Sequence, residues 1–162
     1  WLMEHGFTFL AIDQSSGVIE ALQYQNINAV QVDFFNLQEI QKYDTLLALM
    51  NGTGISGTEK KFPEFLNKCK NMLAKNGQLL IDSSDIMYLF DNDKKLKAHS
   101  KNRYYGQVKY QMVFDSDKSE WFDWIYFSFE KLKEICQQNG MSCEFIFEGD
   151  LHDYLVRIAI KD

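Results

Sequence analysis

Short apolar runs alternate along this chain with stretches in which apolar residues recur every three or four positions. Thr8–Asp13 (TFLAID) and Ala29–Phe35 (AVQVDFF) read as strands, and each run carries an acid at or near its end. Between them Ser15 or Ser16 can cap a helix with Val18, Ile19 and Leu22 on one face, and Gln25–Asn28 breaks it. Tyr43–Met50 (YDTLLALM) is almost continuously apolar, the pattern of a strand covered on both faces. A glycine-rich loop, Asn51–Gly57 (NGTGISG), follows. Pro63 then suits the first turn of a helix whose stripe is Phe62, Phe65, Leu66, Cys69, Met72 and Leu73, with Asn76-Gly77 as its closing signal. Gln78–Asp82 (QLLID) is a further strand, so the order predicts a parallel sheet with helical crossovers.

Beyond Asp82 the pattern changes. Ile86–Arg103 is polar, lysine-rich and without a clear period. Gln107–Phe114 and Trp121–Phe127 flank a turn-like Asp115–Ser119 and predict an antiparallel hairpin. Ser128 can cap a last helix with Phe129, Leu132, Ile135 and Cys136 inward, closed by Asn139-Gly140. Only Glu148–Asp153 separates the final strands, Cys143–Phe147 and Tyr154–Ile160. A parallel crossover needs about a dozen residues or more, so this last pair is antiparallel. The expectation is one domain over residues 1–162, with 86–127 as an inserted segment on the substrate side.

Composition narrows the function classes. Apolar residues make up 46% of the 162 positions and there is one proline, which fits a folded chain with a sizeable core. A formal charge of −6 opposes general nucleic-acid binding, which needs a basic face. Cys69, Cys136 and Cys143 form no CxxC pair and read as reduced thiols of a cytoplasmic protein. No apolar run reaches the ~20 residues of a membrane helix. His5 and His152 have no metal-ligand spacing to other donors, so no metal site is expected.

The candidate chemistry sits at the strand ends. In an open α/β sheet, ligands bind beyond the carboxyl ends of the strands. There Asp13 could hold ribose hydroxyls, and Asp33 with Phe34 could address an adenine ring; equally, both acids could cap local turns and both Phe34 and Phe35 could be core. If the strand runs through Phe35, only one of the two rings faces the interior. The three glycines of the Asn51–Gly57 loop permit close backbone approach to a ligand or merely a tight turn. The loop lacks the lysine ending of a phosphate-binding P-loop, which opposes nucleotide hydrolysis. Lys94, Lys95, Lys97, Lys101 and Arg103, with His99 among them, read as a solvated face or as an anion-attracting cover. Tyr104, Tyr105, Tyr110, Trp121, Phe122, Trp124 and Tyr126 are too many for one hairpin core, and could wall a substrate pocket or bury a homodimer interface.

Together these residues resemble the class I S-adenosylmethionine-dependent methyltransferase superfamily, and within it a bacterial branch with the phrases LLxLMNGxGIxG and GQxLxDSSD. The resemblance implies a Rossmann-like α/β sheet, mostly parallel, with strand order three-two-one-four-five-seven-six and an antiparallel strand seven in a terminal hairpin. Thr8–Asp13 then corresponds to strand two, Ala29–Phe35 to three, Tyr43–Met50 to four and Gln78–Asp82 to five. The superfamily's glycine-rich first motif has no counterpart, so its first strand is expected to be missing from this chain. The implied cofactor is S-adenosylmethionine, with Asp13 and Gln14 at the ribose, Asp33 and Phe34 at the adenine, and Met50, Asn51 and Gly52 beside the methionine arm. The implied activity is methyl transfer to a small-molecule acceptor. No catalytic residue is assigned; Asp82, Asp85, His99 and Tyr105 are unranked candidates for accepting a proton. Two rivals are a nicotinamide-dependent enzyme and a non-catalytic interaction module on the same scaffold.

Overall fold

The computed structural model describes residues 1–38, 41–91 and 103–161. Lys94, Lys95, Lys97, Lys101 and His99 lie outside the described residues. The chain divides into two compact units, Trp1–Ile40 and Gln41–Asp162.

In the first unit, strand β1 (Ala11–Asp13) leads into helix α1 (Ser16–Tyr24) and then strand β2 (Ala29–Gln31). The two strands pair in parallel, Ala11 opposite Ala29 and Asp13 opposite Gln31. Ser15 caps α1, its hydroxyl accepting from the Val18 amide. Of the expected apolar face, Ile19 is buried and Leu22 half-buried, while Val18 points outward. Both strands are shorter than their apolar runs. The second stops at Gln31 because Asp33 redirects the backbone into a 3-10 turn over Phe34–Asn36.

The second unit holds a four-stranded sheet in the order β3-β4-β10-β9, formed by β3 (Tyr43–Ala48), β4 (Leu73–Ser84), β9 (Met141–Glu148) and β10 (Asp153–Ile160). β3 pairs with β4 in parallel, and β10 is antiparallel to both β4 and β9. Three strands therefore point one way and one runs back between them, the four-five-seven-six order that the resemblance implies. The short Glu148–Asp153 connection forces the last reversal, as expected.

Helices α2 (Phe62–Met72) and α4 (Phe129–Gln138) supply the core. Phe62, Phe65, Leu66, Leu132 and Ile135 join Leu79 and Ile81 of β4 and Val156 and Ile158 of β10 as buried side chains. Each fully buried side chain of this size contributes about 1.5–3 kcal/mol. Ser128 caps α4 through the Lys131 amide, and Gly140, at φ 71°, closes it.

Two expectations need correction. The α2 helix ends at Met72 rather than at Asn76-Gly77, because Leu73 turns extended and already belongs to β4. Asn76, at φ 64°, and Gly77 instead shape an irregularity inside the β3–β4 pairing, where a Gly77 side chain would press on the Ala74 and Tyr43 carbonyls at 3.0 Å. Nor is Tyr43–Met50 covered on both faces. β3 is the edge of its sheet, and Leu47 and Leu49 stay about half exposed, at 48% and 51%.

The expected hairpin forms within residues 107–125. β5 (Gln107–Tyr110) pairs with β8 (Phe122–Ile125), and β6 (Val113–Phe114) with β7 (Asp117–Lys118) at the tip. Asp115, at φ 52°, makes the turn. A short helix α3 (Tyr88–Asp91) follows the carboxyl end of β4. Among the described residues no helix is long and apolar enough to cross a membrane.

Candidate functional site

In the first unit, the parallel ladder brings Asp13 and Asp33 to the same carboxyl end of one small sheet. Asp13 closes β1, and its Oδ1 accepts from the Ser15 amide at 2.8 Å. Asp33 stands two residues past β2, and its Oδ1 accepts from the Phe35 amide at 2.7 Å. Both acids thus perform the turn-capping role open to them from sequence, and each does so with a single oxygen. Gln14 is exposed, and its carbonyl accepts from the Gln31 side-chain amide at 3.1 Å, tying the two strand ends together. Phe34 and Phe35 meet edge to face at 5.5 Å, both half-buried. Strand alternation does not sort them as expected, because they lie in the 3-10 turn rather than in β2.

In the second unit, the loop after β3 is built by tertiary contacts. Met50 and Asn51 both adopt left-handed backbone, at φ 64° and 61°, which costs side-chain-bearing residues about 1–3 kcal/mol each. Asp82 holds that conformation: Oδ2 accepts from the Asn51 amide and Oδ1 from the Gly52 amide, both at 3.0 Å. Charge-assisted bonds of this kind contribute about 1.5–3 kcal/mol each. Gly52 is required by space, since a Cβ there would sit 2.8 Å from the Ala48 Cβ. The Met50 side chain, 90% exposed, projects outward just past the end of β3.

A buried polar cluster braces the same loop. Thr53 Oγ1 lies 2.9 Å from Ser83 Oγ and donates to the Ile125 carbonyl at 3.1 Å. Ser83 Oγ is 3.2 Å from Asn51 Oδ1 and accepts from the Phe127 amide at 2.9 Å. Asn51 Nδ2 donates to the Ile125 carbonyl as well. Ile125 ends β8 and Phe127 follows it, so the cluster ties the hairpin to both sequence phrases. Gly54 completes the seat: a Cβ there would fall 2.0 Å from Cε2 of Trp124, which covers it. Asn51–Gly57 and Asp82–Ser83 are therefore two halves of one device, a relation their spacing in sequence could not disclose.

The proton-accepting candidates sort by environment. Both oxygens of Asp82 are engaged by the loop. Asp85 Oδ1 accepts from the Met87 amide at 2.9 Å and from the Tyr105 hydroxyl at 2.7 Å. Burial, then the Tyr104 and Asp85 contacts, push the Tyr105 phenol far above its ordinary value near 10, so it stays protonated and donates. Tyr154 is likewise raised, chiefly by burial, and donates to the Phe127 carbonyl at 2.8 Å. His152 stacks on Tyr88 at 4.7 Å, and its carbonyl accepts from the Asp85 amide at 2.9 Å.

No protein-family model and no curated protein matches the chain. Among solved structures it is similar to a SAM-dependent methyltransferase from Bacteroides fragilis in complex with S-adenosyl-L-homocysteine, at 34% identity and TM-score 0.88. That match covers 99% of this chain and 66% of the Bacteroides protein, so the chain spans just under two thirds of that neighbour's length. It is also similar in fold to the CcbJ methyltransferase from Streptomyces caelestis, at 10% identity, TM-score 0.70, and coverage of 99% and 78%. A glycopeptide N-methyltransferase, MtfA, complexed with S-adenosyl-L-homocysteine, matches at 11% identity, TM-score 0.63, and coverage of 99% and 76%. The fold is the Rossmann-like methyltransferase fold, and its structural neighbours include SAM-dependent methyltransferases.

Proposed function

We propose that this chain is part of a bacterial, cytoplasmic, S-adenosylmethionine-dependent methyltransferase that acts on a small-molecule acceptor. The observation that carries the reading is the β3-β4-β10-β9 order with β10 reversed, in a chain 34% identical over 99% of its length to a methyltransferase crystallised with S-adenosyl-L-homocysteine. An ordinary nicotinamide-binding sheet has no reversed strand between its last two parallel ones.

The donor set fits the cofactor. Asp13 and Asp33 each use Oδ1 on the chain's own amide, which fixes the carboxylate and orients its second oxygen. In this reading Asp13 with Gln14 accepts from ribose hydroxyls, and Asp33 with the Phe34 ring addresses adenine. Met50, Asn51 and Gly52 would lie beside the methionine arm, with Asp82 as the positioning residue that holds the Asn51 and Gly52 amides. The cofactor, when bound, supplies an electrophilic methyl on a sulfonium. The chain's task is then to orient the acceptor, exclude water and receive a proton where the acceptor has one to lose. Asp85 is the better placed carboxylate for that last role, since its two described bonds fall on Oδ1 and leave Oδ2 to accept, whereas both Asp82 oxygens are engaged.

The test is calorimetry of the complete protein with S-adenosylhomocysteine. Binding that weakens at least tenfold in Asp33→Ala is expected. No heat at all would leave only a non-catalytic scaffold, and unchanged affinity in Asp33→Ala would remove the adenine assignment.

A further inference from the structure

The segment that joins the glycine loop to α2 faces the start of β5 across an open cavity of about 320 Å³, lined by Thr58, Glu59, Lys60, Arg103, Tyr104 and Gln107. That volume suits a small organic ligand. The hydrogen-bonding state of the lining defines what such a ligand must offer. Thr58 Oγ1 already accepts from the Lys61 amide at 3.3 Å, and Gln107 Oε1 accepts from the Glu59 amide at 3.4 Å. Acceptor capacity is thus drawn into the wall itself, while the Thr58 proton and the Gln107 side-chain N–H groups remain to donate.

Charge points the same way. Glu59 is the one acid of the lining, and Lys131 Nζ neutralises it at 2.9 Å, with Glu59 in turn holding the lysine above its usual value. Lys60 and Arg103 make no ion pair among the described residues. A net surplus of cation therefore faces the cavity in a chain whose overall charge is −6. The wall also has a flat apolar element. The Tyr104 hydroxyl is occupied at the start of α4, accepting from the Ser128 amide at 2.8 Å, and its ring packs against Phe127 and Tyr105. What it offers the cavity is ring surface.

We propose that this cavity binds a small organic anion, a carboxylate or phosphate group on a flat apolar body. The anion sits between Lys60 and Arg103, with donation from Thr58 and Gln107, and the body lies against Tyr104. None of these residues is among those assigned to the cofactor, and the proposal stands without the methyl-transfer reading.

The test titrates the full chain, without S-adenosylmethionine, with phenyl phosphate, benzoate and uncharged benzamide, following backbone amide chemical shifts. Saturable shifts at Thr58, Glu59 and Gln107 with the anions, and none with benzamide, are expected. The stronger of the two anions names the headgroup. Lys60→Ala with Arg103→Ala should weaken anion binding about a hundredfold, roughly tenfold per cation. Lys109→Ala, on the hairpin outside the lining, should leave it unchanged. Equal binding of benzamide, undiminished binding in the double variant, or no saturable shifts at these amides would overturn the proposal.

Discussion

Asp13 closes a strand, Asp33 stands just past one and Asp82 lies two residues before the end of another, yet these three acids near strand ends are wired differently. The first two bond to amides only two residues further along the chain, with one oxygen each. Asp82 engages amides 30 and 31 residues away, with both oxygens. A locally satisfied acid is held in place while an oxygen stays available to a ligand. An acid satisfied at long range, on both oxygens, is part of the scaffold. Position in sequence makes the three look equivalent, and hydrogen-bond partners separate them.

The largest effect that would break this contrast is expected at Asp82. Asp82→Ala removes the acceptor from two amides and releases two left-handed residues, and should cost about 3–5 kcal/mol in denaturant unfolding of the second unit. Loss of less than about 1 kcal/mol would place Asp82 with the locally bonded acids instead. Gly54→Ala should follow, at about 1–3 kcal/mol, because the Trp124 ring must move off its seat. A changed Trp124 environment in tryptophan fluorescence would report that displacement. In Asp13→Ala and Asp33→Ala the balance should reverse: stability falls by only about 1 kcal/mol, the value of a cap, while S-adenosylhomocysteine affinity in the complete protein drops at least tenfold.

The smallest effect near neutral pH comes from three tyrosines of the second unit, Tyr154 buried and Tyr105 and Tyr126 half-buried. Tyr105, Tyr126 and Tyr154 all have phenols raised above the ordinary value near 10, mainly by burial. A raised phenol leaves stability untouched below pH 10 and lowers it above, since the unfolded chain loses that proton first. Alkaline titration followed at the tyrosinate absorbance should show a class of phenols that ionises only with unfolding. Tyr105→Phe should make that class smaller. Ionisation of all eight tyrosines in one unfolding-independent step would contradict the burial described for the second unit.

Much of this architecture was readable from the residues. The α2 stripe, the Ser15 and Ser128 caps, the hairpin about Asp115 and the terminal antiparallel pair all follow from period, capping chemistry and loop length, which act over a few residues. Local signals misled at Asn76-Gly77, where the same dipeptide that ends helices serves a strand irregularity, and at β2, which Asp33 ends early. The Asp13 and Asp33 turns were legible as alternatives, and the structure realises them.

Other features had no local signature. Nothing in NGTGISG announces that its left-handed start is held by Asp82, that the Thr53 and Ser83 hydroxyls meet beside the Ile125 carbonyl, or that Trp124 covers Gly54. The cavity between Thr58–Lys60 and Arg103–Gln107 likewise joins segments about 45 residues apart in a lining that only folding assembles. The chain by itself determined its strands, helices, turns and the direction of its last strand, because those depend on backbone propensity and on which faces are apolar. The tertiary structure alone decided which carboxylates became scaffold and which stayed open, because a carboxylate's role depends on the donors that reach it, and long-range packing chooses those donors.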